Sequence, residues 1–168
     1  MSRLDRTRRI LFALDETIAG TVYGTIIVMG AVVAEASAGK EPRELAILVA
    51  ATVVAVWLGF VYAHGLANSI DAGRRVTITE LGEIARRELS IPLAAVGPVA
   101  ALVLGASGLV YEAAAIWLAL SIGLAILVIQ GLRYARVEHL GPAGTLVAVA
   151  VNLAIGLLIV MLKAVAVP

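Results

Sequence analysis

Five stretches of this chain are each about as long as a bilayer is thick and almost free of charge. A helix rises 1.5 Å per residue, so roughly 20 apolar residues cross the ~30 Å hydrocarbon layer. Runs of that kind occupy residues 17–34, 45–66, 91–111, 113–132 and 143–165. Lipid offers no partner to a free N–H or C=O, so each run is expected to be a helix. The period-two alternation of a membrane barrel strand is absent. Hydrophobic residues make up 61% of the chain and charged residues 15%, against roughly 45–50% and about 25% in soluble domains. The expected fold is an all-α, polytopic membrane helix bundle of five transmembrane helices in a single domain. Between the third and fourth runs only Glu112 is charged, which predicts a tight hairpin with Glu112 in its turn.

The first run resembles a signal peptide in having a basic start and a small-residue stretch, "AEASAG", beyond it. "TRRILF" at 7–12 adds a twin-arginine flavour. Asp15 and Glu16, however, break the join between basic and apolar regions, so the segment is expected to stay as a membrane anchor.

Orientation follows from the basic residues on alternate sides of five crossings. Arg3, Arg6, Arg8, Arg9, Arg74, Arg75, Arg86, Arg87, Arg133 and Arg136 fall on one side, and Lys40, Arg43 and Lys163 on the other, ten against three. The positive-inside rule therefore predicts an inside N-terminus and an outside C-terminus. On the inner side, between the second and third crossings, Thr77 and Glu80 form a capping-box pattern. Beyond it Ile78, Leu81, Ile84, Ala85 and Leu89 recur on one helical face, opposite Glu80, Glu83, Arg86 and Arg87. That pattern predicts an amphipathic interfacial helix at about 78–89, lying along the inner surface with Arg86 and Arg87 near anionic headgroups. Pro92 then begins the next crossing.

Polar groups inside a membrane are costly unless paired, so their positions are the best guide to function. Trp57, Phe60, Val61, His64, Asn68 and Asp71 share one stripe of the second run, turning from aromatic to polar toward the inner surface. His64 lies ~12 Å from the middle of its segment, and Glu16 is at nearly the same depth. The fourth run brings Gln130 and Arg133 to the same boundary. The expected site is an inner-leaflet polar cluster of Glu16, His64, Asn68 and Gln130, rimmed by Asp15, Asp71 and Arg133. An imidazole beside a carboxylate has the make-up of a proton-sensitive site.

Gly20 and Gly24 form a small-xxx-small pair on the first run, flanked by the hydroxyl stripe Thr17, Thr21 and Thr25. The spacing fits a helix-packing face or the lining of a narrow wet path. Deeper in the membrane, Asn152 and Ser121 are placed to meet across antiparallel neighbours. The Gly97-Pro98 pair is expected to kink the third helix.

Other chemistries find little footing. The chain has no cysteine and a net charge of only +1, which provides no thiolate metal site and no basic patch for nucleic acid. No cofactor motif, metal-ligand set or nucleophile–base pair is recognisable, so no enzyme activity is expected. In its Ala/Val/Arg-rich wording, with "GTVYGTIIVMG" and "VYAHGLA" in the first two crossings, the chain resembles the small, functionally uncharacterised multi-pass membrane proteins of high-GC bacteria. The resemblance implies a location in the bacterial cytoplasmic membrane and no mechanism. Two functional readings follow. In one, copies assemble through the Gly20/Gly24 face into a homo-oligomer that conducts protons or small ions past the threonines and His64. In the other, the bundle is a non-conducting accessory or scaffold subunit that binds another membrane protein.

Overall fold

The computed structural model describes the backbone of residues 3–166 and the side chains of residues 17–161. Among the described residues, regular structure is entirely helical. The elements are α1 (Arg3–Ser37), α2 (Pro42–Ala72), α3 (Ile78–Arg87), α4 (Ser90–Leu93), α5 (Val96–Ala106), α6 (Glu112–Val137) and α7 (Pro142–Ala166). Four stretches are long and apolar enough to cross a membrane: Thr17–Ser37, Pro42–Ala72, Glu112–Val137 and Pro142–Met161. Ile78–Leu93 and Val96–Ala106 meet at 50° and are long and apolar enough only together, as a broken fifth span or a re-entrant loop. The protein is a helical membrane bundle.

The third crossing therefore departs from the one kinked helix expected at 91–111, and two prolines account for the breaks. A proline has no N–H and its ring collides with the carbonyl four residues back. Four residues before Pro92 is Glu88, where α3 ends; its carbonyl accepts instead from the Ile91 N–H at 3.1 Å. Four before Pro98 is Ala94, the first of two residues between α4 and α5. The bend thus lies one turn ahead of the Gly97-Pro98 pair. The α5–α6 connection also differs from expectation. Its turn is built from residues 107–111 with Gly108 at φ 75°, and Glu112 opens α6, where a carboxylate complements the helix dipole.

Sequence signals explain the other ends. Pro42 takes the first position of α2, where a missing N–H costs nothing, and Gly73 closes that helix in the left-handed region at φ 61°. α3 carries the capping box: the Thr77 hydroxyl accepts from the Glu80 N–H, and the Glu80 carboxylate accepts from the Thr77 N–H at 2.8 Å. Arg74 donates to the same carboxylate. This ion pair holds the Arg74 guanidinium above its ordinary pKa. α3 does not stand apart from the bundle but folds back on α2. A Cβ on Gly65 would lie 2.7 Å from Leu81 Cδ2, and the Trp57 indole N–H donates to the Ala85 carbonyl at 3.2 Å. That carbonyl is among the last four of α3, which have no partner within the helix.

α1 is packed against α2, α4, α6 and α7, while α7 leans mainly on α6 and α1 and has only 11% of its described span buried. The core is made by Val28, Met29 and Val32 of α1, Val49 and Val53 of α2, Leu102 of α5, and Leu120 and Leu127 of α6, each at most 1% exposed. Lipid tails are as apolar as these side chains, so close fit and not water exclusion holds the helices together.

Candidate functional site

The polar residues gather at the end of the bundle carrying Arg74, Arg75, Arg86, Arg87, Arg133 and Arg136, hereafter the basic end. They occupy separate clefts instead of one cluster. Asp15 and Glu16 lie outside the residues whose side chains are described. His64 is half exposed, with Nδ1 3.0 Å from the Phe60 carbonyl one turn back and 3.9 Å from Glu88 Oε1. Its carboxylate neighbour on the described chain is thus Glu88, at the end of α3. Phe60 beneath it meets Tyr23 of α1 with ring centroids 4.8 Å apart. His64, Tyr23, Gly20, Arg87 and Glu88 line one cleft between α1 and α2.

Asn68 and Asp71 lie one and two turns further on and open into a different cleft of about 510 Å³, shared with Arg74, Glu80, Glu83 and Arg87. Both signs of charge line it, and Arg74 and Glu80 are already paired.

Gln130 is only 5% exposed, and its Oε1 accepts from Arg133 at 3.3 Å. Ala19 and Tyr23 of α1 line a cleft with Gln130 as well as the cleft of His64. Ile18, Val22 and Asn152 also line that Gln130 cleft, and Thr17, Thr21 and Arg86 line a second one with it. Of the expected cluster, Gln130 is thus joined to Arg133, Asn68 and Asp71 share one cleft, and His64 lines another.

The Gly20/Gly24 face packs within the chain. A Cβ on Gly20 would run into the Ser90 hydroxyl, and one on Gly24 would stand 2.5 Å from the Ile91 carbonyl oxygen. The broken pass, α4, fills this face. Thr25 is fully buried and donates to the Thr21 carbonyl at 2.7 Å, as Thr21 does to Thr17. Beyond Thr25 the face continues into Val28, Met29 and Val32 of the core. The expected Ser121–Asn152 contact is not made: Ser121 is exposed, and the Asn152 amide donates to Ala148 of its own helix at 3.0 Å. Its nitrogen sits against Gly131, where a Cβ would lie 3.3 Å away.

Sequence reasoning missed Glu88, Ser90 and the three-cleft position of Arg87. Their signal was Pro92, which marks a break without saying where the chain goes next. Among the described residues no three His, Asp or Glu side chains converge to hold a metal ion. Comparison with protein-family models, curated proteins and solved structures finds no match to this chain.

Proposed function

We propose that this protein is a non-conducting accessory or scaffold subunit of the bacterial cytoplasmic membrane, with its basic end and N-terminus in the cytosol, that binds another membrane protein. The observation that carries this reading is the occupancy of the Gly20/Gly24 face by the chain's own Ser90 and Ile91. A channel assembled through that face would first have to expel α4. The Thr21 and Thr25 hydroxyls are also spent on carbonyls of their own helix, and the stripe ends against fully buried Val28 and Met29. A wet path needs unspent donors and acceptors along its length.

Proteoliposome flux of protons, Na⁺ and K⁺ at two pH values tests this, with His64→Ala alongside. Flux equal to that of empty liposomes is expected in every case. A proton or cation current that His64→Ala lowers would revive the channel reading. Because the chain lacks cysteine, single cysteines placed at Ser2 and Ser107 report orientation directly. Labelling from outside is expected at 107 and absent at 2.

A further inference from the structure

One cleft at the basic end has a chemistry that the scaffold reading does not use. It lies between α1, α4 and α6 and has a volume of about 520 Å³. At one end stand Arg86 and Arg87, in the last turn of α3. Its wall carries Leu93 of α4 and Ile126 of α6. Gln130 also lines it, buried to 5% exposure, and so does Ser90, whose buried hydroxyl has no hydrogen-bond partner among the described residues. The combination of two arginines, two neutral polar groups and an apolar wall is complementary in charge and polarity to one class of molecule. Guanidinium forks bind phosphate oxygens with two parallel hydrogen bonds. Basic pockets between transmembrane helices are where anionic headgroups settle.

We infer that this cleft is a binding site for an anionic phospholipid, its phosphodiester held by Arg86 and Arg87 and one acyl chain laid along Leu93 and Ile126. Leu93 is 64% exposed, and a seated chain would cover it. The lipid would fill the gap that the broken third pass leaves between α4 and α6. The inference is independent of whether the bundle conducts; it requires only that the basic end meet the headgroup layer.

The test uses the full chain in detergent, with bound lipid counted by native mass spectrometry and thermal unfolding followed in parallel. Phosphatidylglycerol is the probe, phosphatidylcholine the neutral comparison and glycerol 3-phosphate the free-phosphate comparison. Phosphatidylglycerol is expected to remain bound and to raise Tm, with neither effect from the other two. Arg86→Gln should weaken binding about fivefold, and Arg86→Gln with Arg87→Gln about thirtyfold, if each arginine contributes as arginines near an anionic surface do. Arg136→Gln, outside the cleft, should bind as the unaltered chain does. Each variant's Tm without lipid shows whether it is folded, and Arg86, being exposed, should tolerate substitution. Equal retention of phosphatidylcholine, equal stabilisation by glycerol 3-phosphate, or unchanged binding by a folded Arg86→Gln variant would each overturn the assignment.

Discussion

The two ends of the bundle are built on different principles. Away from the basic end, straight helices meet over their full width: Val28 and Val32 of α1, Val49 of α2, Leu102 of α5 and Leu120 of α6 are closed off almost completely. Gly105 lets α5 come so near α6 and α2 that a Cβ there would lie 2.5 Å from Ala115 Cβ and 3.3 Å from Pro42 Cβ. At the basic end the third pass has broken into α3 and α4, and the space a straight helix would fill is divided into clefts lined by arginines, carboxylates and amides. One end gains its stability from tight apolar contact, whereas the other gives up such contact and gains polar surface. If the bundle recognises lipid or partner, the loosely packed end has the free chemistry to do so.

That contrast can be broken in three ways. The largest effect is expected from Leu102→Ala, which opens a cavity in the close-packed half and should cost about 2–5 kcal/mol in unfolding measured in detergent. Leu93→Ala, the same change at the basic end, removes a side chain that is 64% exposed and should stay within ~0.5 kcal/mol. Equal losses would mean that both halves are packed alike. Next comes Gly24→Val, whose Cβ would be forced against the Ile91 backbone. Overpacking of this kind costs about 1–3 kcal/mol, and here it should also loosen α4, seen as faster amide hydrogen exchange at residues 88–95. Gly30→Val, with nothing within 4 Å of its Cβ, is the matched control, and a similar loss there would remove the α4 explanation.

The smallest effect sharpens the comparison. His64 and Glu88 are 3.9 Å apart with His64 51% exposed, and pairs open to solvent couple weakly. A double-mutant cycle of His64→Ala and Glu88→Gln, read by thermal unfolding, should give a coupling of about 0.2–1 kcal/mol. A value above ~2 kcal/mol would show that this end is shielded from water and held together by charge.

Much of the outline was legible in the residues. Hydropathy announced the long apolar helices, because a helix that must span hydrocarbon has to be apolar over its whole length. Thr77 and Glu80 announced α3 and its cap. The candidate site was legible only in depth. His64, Asn68 and Gln130 do share the basic end, yet they look into different clefts, and the carboxylate found beside His64 is Glu88, on a helix whose charges seemed to belong to a surface face. Helices in lipid are apolar on every side, so the pattern that tells which face of a soluble helix is inward is largely missing.

The sequence alone therefore determined that the chain is a helical membrane bundle, roughly where each crossing begins, and which residues lie at the charged end. Length and hydropathy answer to the thickness of the bilayer and need no partner. Tertiary structure decided the rest: that α4 and not a second copy occupies Gly20 and Gly24, that His64, Asn68 and Gln130 line different clefts, and that a cleft remains beside Arg86. Those outcomes depend on rotation about each helix axis and on the direction the chain takes after Pro92, which only the packing of one helix against another can set.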